Sequence, residues 1–263
     1  MKILKLYQYF YTTMKVSITF GNKTYHTDLS KGINISFSLQ NTPNLPKAFY
    51  APNFNIEPVR TDTFVGSTDE GGILNFKNIF VNPHGNGTHT ECVGHISKEP
   101  YFIKDCLKNS FHLAQLVTIK PKEIDADKII TLQQLQNLSL DTNAKAIIIR
   151  TLPNKIEDKK RDWSGTNPPY IHYKSYGVFS RKKGIEHFLI DLPSVDREED
   201  EGKLLAHKAF WKYPSKAIRK NCTITEMVFV PNEINDGLYF INIQTIPVAM
   251  DASPSSVFVY EVL

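Results

Sequence analysis

The chain has 263 residues, of which 41% are hydrophobic and 22% are charged, and its formal net charge is +4. These values are ordinary for a soluble globular protein with a substantial core. The lysines are scattered, which argues against a nucleic-acid partner, and no apolar stretch is long enough to span a bilayer. Three cysteines are too few for a disulfide framework or a cysteine-rich zinc site, so we expect a cytoplasmic protein.

Alternation of apolar and polar residues predicts mainly β-strands in the first hundred residues. Lys15–Phe20 and residues 23–29 alternate on either side of a short turn, which indicates a β-hairpin. Residues 33–39 alternate as well, and residues 41–58, with four prolines, predict an irregular loop. Residues 76–81 are expected to form the strand that leads into a histidine-rich turn.

The middle of the chain predicts an α/β arrangement. Residues 131–138 are expected to be helical with Thr131 as the N-cap, and the continuous apolar run 146–149 is typical of a strand covered on both faces. Further helices are expected over residues 168–177, where proline lies in the first turn, and over residues 198–211. The remaining predicted strands span residues 116–119, 188–192, 223–230, 238–246 and 256–262.

Together these elements predict one α/β domain with a mixed sheet over residues 1–263. Residues 1–14 are expected to be a disordered or mis-started extension, because the first alternating strand begins directly after Met14.

Residues 83–97 carry three histidines, one carboxylate and three glycines. Imidazole and carboxylate are ligands for borderline divalent metals, and glycine allows a loop to turn tightly enough to aim several of them at one point. A solvated surface loop is the alternative for any single histidine, but the cluster favours a metal site. Its candidate ligands are His84, His89 and Glu91, with His95 close by.

Two residues further along the chain are additional candidates. Glu226 lies in an apolar strand, where an ionised carboxylate is costly unless it is paired or coordinated. The alternative is the solvent face of an edge strand. His207 lies on the predicted helix over residues 198–211. The alternative to a metal ligand there is an ordinary core or surface histidine.

These residues resemble the cyclase-like metal-dependent hydrolases, a family that includes bacterial kynurenine formamidase and isatin hydrolase. The signature of that family reads His-x-Gly-Thr-His-x-Asp-x-x-x-His, and residues 87–95 are similar to its second half. Residues 25–30 resemble the opening Asp-Leu-Ser strand. Residues 191–196 and 246–254 resemble two later segments, with Asp251 in place of a glycine. The resemblance extends from about Thr24 to the C-terminus.

The resemblance implies a swivelling β/α/β fold, assembled as a homodimer or homotetramer. It also implies a site that holds one or two divalent ions, for which zinc is expected and manganese is the alternative. His89 and Glu91 match two ligands of the first ion, and His95 matches the catalytic acid/base. His207 and Glu226 match ligands of a second ion, which Glu91 would bridge.

Two departures from the family pattern concern the ligands. His84 lies one residue before the expected first ligand, so it can serve only if the turn accommodates one extra residue. Glu91 replaces the usual aspartate and is longer by one methylene.

The sequence therefore predicts a hydrolase that cleaves an amide, formamide or cyclic amide of a small substrate through metal-activated water. Aromatic residues in loops could wall a pocket for an aromatic substrate: Phe49, Tyr50, Phe54, Trp163 and Tyr170. A metal-dependent lyase or cyclase is one alternative, and a catalytically silent metal-stabilised binding protein is another.

Overall fold

A computed structural model describes residues 13–42, 45–176 and 184–263. The early strands are β1 (Lys15–Phe20), β2 (Lys23–Asp28), β3 (Ile33–Asn34), β4 (Asn55–Pro58), β5 (Arg60–Thr61), β6 (Phe64–Val65), β7 (Lys77–Phe80) and β8 (His89–Glu91). The later strands are β9 (Phe111–Ile119), β10 (Lys122–Ile124), β11 (Asp127–Ile130), β12 (Ala146–Thr151), β13 (Tyr170–Ile171), β14 (His187–Ile190), β15 (Thr223–Glu226), β16 (Gly237–Thr245) and β17 (Ala252–Glu261). The short α-helices are α1 (Ile103–Cys106), α2 (Leu132–Gln136), α3 (Ile156–Lys159) and α4 (Leu205–Trp211).

The main sheet closes on itself. Its strand order is β16-β9-β12-β14-β15-β8-β17, and β17 also pairs with β16, while β3 adds to the outside of β17. The four strands β9, β12, β14 and β15 are parallel, and β8, β16 and β17 run antiparallel to their neighbours. β17 closes the ring because its first residues pair with β8 and its later residues pair with β16. The predicted mixed α/β fold is confirmed.

The central strands are buried on both faces, as the apolar run 146–149 indicates. Ile147 and Ile149 pack into the same core as Phe210 and Trp211 of α4. Ile148 points to the opposite face and packs with residues from β14, β16 and β17. Ile224 of β15 belongs to the first of these cores, so the face of the sheet that carries Ile224 is the one that α4 covers.

Predictions of individual elements are partly confirmed. The β1–β2 hairpin is present, and Thr131 caps α2 through a reciprocal pair of hydrogen bonds with Gln134. Of residues 33–39, only Ile33–Asn34 form a strand.

Two helix predictions need correction. The predicted helix over residues 168–177 is wrong in its first half, because Ile171 and His172 donate backbone hydrogen bonds to Val195 and Ile130, which draws this part into strand pairing. Tyr173–Ser175 form a short 3-10 helix. Gly177 itself lies outside the described residues. The predicted helix over residues 198–211 begins only at Leu205, because the Asp200 carboxylate accepts the backbone N–H groups of Lys203 and Leu204 in a loop.

Residues 1–12 lie outside the described residues, so the expected N-terminal extension stays a prediction. Within the described ranges, none of the helices has the length and apolar character needed to cross a membrane.

Candidate metal centre

Strand alternation and register place three of the candidate residues on one face of the sheet. β8 lies between β15 and β17, and Glu226 of β15 lies directly opposite His89. His89 and Glu91, two residues apart, point to the same face, while Thr90 points to the other and bonds the Thr225 hydroxyl at 2.8 Å. Glu226 Oε2 lies 3.3 Å from His89 Nε2. All three candidate side chains are buried.

A compact turn between Asn82 and Asn86 brings His84 to these residues. The Asn82 side chain accepts the backbone N–H groups of His84 and Gly85, and the Asn82 carbonyl accepts that of Asn86. A Cβ on Gly85 would lie 2.2 Å from the Cβ of Ala51, so only glycine fits. Gly87 has φ +66°, where glycine is favoured. The extra residue is accommodated, and His84 Nδ1 lies 3.1 Å from Glu91 Oε2.

α4 delivers His207 to the opposite side of Glu91. The Asp196 carboxylate accepts the backbone N–H groups of Ala206 at 2.6 Å and of His207 at 3.1 Å, in the first turn of the helix, where such groups have no partner within the helix. Asp196 Oδ2 also accepts the ring Nδ1–H of His207 at 2.7 Å. His207 Nε2 therefore faces Glu91 Oε1 at 3.0 Å and Glu226 Oε1 at 3.9 Å.

His95 stands at the mouth of the cluster, in a 3-10 turn directly after β8. Its Nε2 lies 3.8 Å from Glu91 Oε2, and its Nδ1 lies 3.5 Å from Asp251 Oδ2. About 29% of its side chain is exposed, whereas His89 is fully buried, so His95 combines contact with Glu91 and access to solvent.

The four imidazoles share one arrangement. In each, one ring nitrogen lies against a hydrogen-bond acceptor and the other faces the buried glutamates. The outer acceptors are the Gly87 carbonyl for His89, Asp196 for His207, and Asp251 for His84 and His95. Histidines that bind metals characteristically donate their second ring N–H in this way, which fixes both tautomer and orientation.

Without metal, the cluster favours protonated, positively charged imidazoles beside ionised carboxylates. Burial alone raises the pKa of Glu91, but the charges of His95 and His207 outweigh it and hold that pKa well below its usual range. Burial lowers the pKa of His84, yet its hydrogen bonds with Asp251 and Glu91 prevail and raise it to about 10. Burial likewise lowers the pKa of His207, but the charge of Glu91 raises it well above its usual value. Positive imidazoles thus offset buried carboxylates.

The donor set fits a divalent cation. Among the described residues, the buried atoms His89 Nε2 and Glu91 Oε2 have no partner with good hydrogen-bond geometry, although ionisable groups lie close to both, at 3.3 Å and 3.1 Å. Two triplets of donor atoms lie within 4.8 Å of one another, His84–Glu91–His95 and His89–Glu91–Glu226, and Glu91 belongs to both. The first triplet contains His95, which the family resemblance assigns to proton transfer.

A cavity of about 750 Å³ opens beside the cluster. His84, Glu91, His95, His207 and Glu226 all line it, together with Phe49, Ala51 and Leu204. Phe49 thus lines this cavity as expected. Phe54 and Trp163 are instead buried in the protein, the side chain of Tyr50 is largely exposed, and Tyr170 lines a neighbouring cavity.

The sequence of this chain is similar to that of one known protein family. Residues 16–197 match the family model described as "Putative cyclase". The chain belongs to this family. A search of the curated proteins finds no match to this cyclase-family chain.

Several solved structures share the cyclase-family fold of this chain. A "predicted metal-dependent hydrolase" from Bacillus stearothermophilus is 14% identical, with a TM-score of 0.61, and the match covers 88% of this chain and 98% of that one. Isatin hydrolase A from Ralstonia solanacearum is 15% identical (TM-score 0.62; 88% and 91% covered). Isatin hydrolase A from Labrenzia aggregata is 11% identical (TM-score 0.64; 89% and 94% covered). At these identities the likeness establishes the fold.

The structure of this cyclase-family protein brings all six sequence candidates into one cluster: His84, His89, Glu91, His95, His207 and Glu226. Two residues of the cluster received no role from the sequence. Both lie in loops, Asp251 167 residues along the chain from His84 and Asp196 11 residues before His207, and neither periodicity nor motif spacing indicates these contacts. One sequence feature could have indicated Asp196. It is a carboxylate ten residues before Ala206, close enough along the chain to cap the helix that carries His207.

Proposed function

We propose that this protein is a metal-dependent hydrolase that cleaves an amide, formamide or cyclic amide of a small substrate. The observation that carries the proposal is the common arrangement of the four imidazoles, each with one nitrogen against an outer oxygen and the other towards Glu91 or Glu226. Protonated imidazoles in salt bridges can adopt the same arrangement, but the buried His89 Nε2 has no partner with good hydrogen-bond geometry among the described residues, and two triplets of donor atoms lie within 4.8 Å of one another, as a metal centre needs.

The proposed ligands of a first ion are His84, His89 and Glu91. His207 and Glu226 would hold a second ion, with Glu91 shared between the two. A divalent cation bound there supplies Lewis acidity towards water and towards a substrate carbonyl. Imidazole and carboxylate donors suit zinc and also manganese; we propose zinc because three buried or half-buried imidazoles contribute.

His95 is the proposed acid/base. Its Nε2 faces Glu91 and the cavity, and its partial exposure allows exchange of a proton with solvent. His95 Nε2 would remove a proton from the attacking water and return it to the leaving nitrogen, the ordinary task of an imidazole near neutral pH. The buried carboxylate of Glu226 accepts the backbone N–H of Val195 at 2.9 Å, which orients it towards the cluster.

The cavity supports a small substrate with an apolar part. Its volume of about 750 Å³ lies within the range of small-molecule sites, and its apolar wall includes Phe49, Ala51 and Leu204. Three of the solved structures that share the fold are isatin hydrolases, and isatin is a cyclic amide. A cyclic or N-formyl aromatic amide is therefore the proposed substrate class.

The test is metal analysis of protein purified without added metal, followed by turnover assays with isatin and formanilide. We expect one or two divalent ions per chain and hydrolysis of at least one probe. His89→Ala should lose metal and turnover together, whereas His26→Ala, which removes an exposed histidine bonded to Ser17 outside the cluster, should retain both. Metal without turnover on amide probes would favour the silent binding protein, and elimination or ring closure as the observed reaction would favour the lyase.

We also propose that the protein self-associates, as the family resemblance implies. Residues 73–80 expose several large apolar side chains, namely Ile73, Leu74, Phe76, Ile79 and Phe80. Large apolar side chains exposed together on one short segment often mark a site that a partner covers. Light scattering should give at least twice the chain mass of 30.0 kDa, and a monomer at micromolar concentration would contradict the proposal.

A further inference from the structure

The two half-exposed histidines of the cluster share one carboxylate that lies outside the proposed ligand set. Asp251 Oδ2 accepts the Nε2–H of His84 at 2.7 Å and lies 3.5 Å from Nδ1 of His95. On the far side of both rings is Glu91 Oε2, at 3.1 Å from His84 Nδ1 and 3.8 Å from His95 Nε2. The two imidazoles therefore lie side by side between the same pair of oxygens, with their centroids 4.2 Å apart.

We infer that Asp251 is a positioning residue that decides which ring nitrogen His84 and His95 present to the metal centre. The inference rests on the proposed metal-dependent function. A carboxylate oxygen can only accept hydrogen bonds, so the nitrogen that faces Asp251 must carry the proton. Without metal, Glu91 favours a second proton on Nδ1 of His84; with a cation bound, Nδ1 would give up that proton and offer its lone pair as a ligand. His95, with Nδ1–H towards Asp251, has Nε2 free to accept a proton.

Asp251 is held in place independently of the two histidines. Its carbonyl accepts the backbone N–H of Cys92 at 2.9 Å, and the preceding carbonyl, that of Met250, accepts the N–H of Ile103 at 2.7 Å. The next residue, Ala252, begins β17 and pairs with Glu91 of β8. The backbone of Asp251 is thus anchored beside the strand that carries Glu91, which keeps its side chain within reach of both histidines.

The unequal distances separate the two roles. His84 is the nearer ring to both oxygens, as suits a ligand whose lone pair must point at the cation. His95 is farther from both, so its Nε2 is oriented without being tied to Glu91. One side chain, Asp251, therefore orients a proposed metal ligand and the proposed acid/base together, and its removal should affect metal affinity and proton transfer in the same variant.

The test compares Asp251→Ala and Asp251→Asn with Asp105→Ala, which removes an exposed carboxylate that pairs with the adjacent Lys104. Zinc affinity is measured by competition with a chromophoric chelator, and ring tautomers of the zinc-loaded protein are read from long-range ¹H–¹⁵N NMR spectra. We expect Asp251→Ala to lower zinc affinity about 10–100-fold, the usual effect of losing a partner of a metal-bound histidine. Asp251→Asn keeps an acceptor oxygen and should restore most of the affinity, and Asp105→Ala should match wild type. The wild-type spectra should show the proton on Nε2 of His84 and on Nδ1 of His95.

A second measurement needs no metal. Crystal structures of the metal-free wild type and of Asp251→Ala should differ in the side-chain torsions of His84 and His95. Unchanged torsions, or unchanged zinc affinity in Asp251→Ala, would overturn the positioning role. If the wild type binds no zinc while the torsions still change, the proposed function is wrong and the positioning role stands. If Asp251→Ala does not fold, the tautomers of the zinc-loaded wild type decide: a proton on Nδ1 of His84 or only on Nε2 of His95 would overturn the positioning role.

Discussion

Asp196→Ala is expected to weaken metal binding through His207, a residue that it leaves unchanged. In the native protein the Asp196 carboxylate accepts three hydrogen bonds, from the backbone N–H groups of Ala206 and His207 and from His207 Nδ1. The third bond keeps the proton on Nδ1 and aims Nε2 at Glu91. Without Asp196, the proton can move to Nε2 and remain bonded to Glu91 Oε1, only 3.0 Å away. That tautomer has no lone pair for a cation.

The expected magnitudes follow from these contacts. Loss of the oxygen partner of a metal-bound histidine typically lowers affinity by about 10–100-fold, which corresponds to roughly 1.4–2.8 kcal/mol. The fold should also lose roughly 2–4 kcal/mol, because two buried N–H groups of the first turn of α4 lose their acceptor and water replaces it only in part.

The matched control is Asp200→Ala. Asp200 accepts the backbone N–H groups of Lys203 and Leu204 just before the same helix but contacts no histidine of the cluster. Urea denaturation measures the free energy of unfolding of both variants, and chelator competition measures their zinc affinity. Both variants should be less stable than wild type, and only Asp196→Ala should lose affinity by tenfold or more. Zinc affinity within threefold of wild type in a folded Asp196→Ala protein would refute the role of His207 Nε2 as a ligand.

Three further predictions concern proton transfer, stability and pH. His95→Ala should keep its metal but lose about 10²–10⁴-fold in turnover of whichever amide probe the wild type hydrolyses, and loss of metal instead would make His95 a ligand. Lys159→Met should reduce the free energy of unfolding by about 3–5 kcal/mol, because it leaves Asp191, 2.9 Å away, as an uncompensated buried charge. Lys155→Met, at an exposed lysine, is the control, and equal stability of the two variants would contradict the argument. Metal binding should release protons at pH 7, because the pKa of His84 is raised to about 10 without metal and coordination requires the neutral ring. Metal affinity should therefore rise with pH between 6 and 8. Calorimetry in buffers of different ionisation enthalpy measures the proton release, and repeating it at several pH values measures the affinity.

The sequence made the cluster predictable because its chemistry is local. Residue types and glycine spacing in residues 83–97 indicate a site, and the cost of burying Glu226 among apolar neighbours points to a partner for it. Strand alternation then explains why His89 and Glu91 share a face, although only the register shows that Glu226 lies opposite His89.

What the sequence could not show depends on contacts between distant segments. The sequence alone does not show whether His84, displaced by one residue from the signature, can reach the other ligands. The turn around Asn82 and the close approach of Gly85 to Ala51 explain how it does. The helix that carries His207 is shorter than its apolar pattern predicts, because Leu204 has φ +47° and the residues before it are bonded to a loop aspartate. Asp251 is 167 residues from His84, and no local signal links them.

The central claim is that these residues bind a divalent metal, and anomalous X-ray scattering from crystals soaked in zinc tests it most directly. We expect an anomalous peak about 2.0–2.2 Å from a nitrogen of His89 and an oxygen of Glu91. A second peak, if the centre takes two ions, should lie against His207 and Glu226. A fully soaked crystal without a peak at His89 and Glu91, or with zinc bound only elsewhere on the protein, would contradict the account.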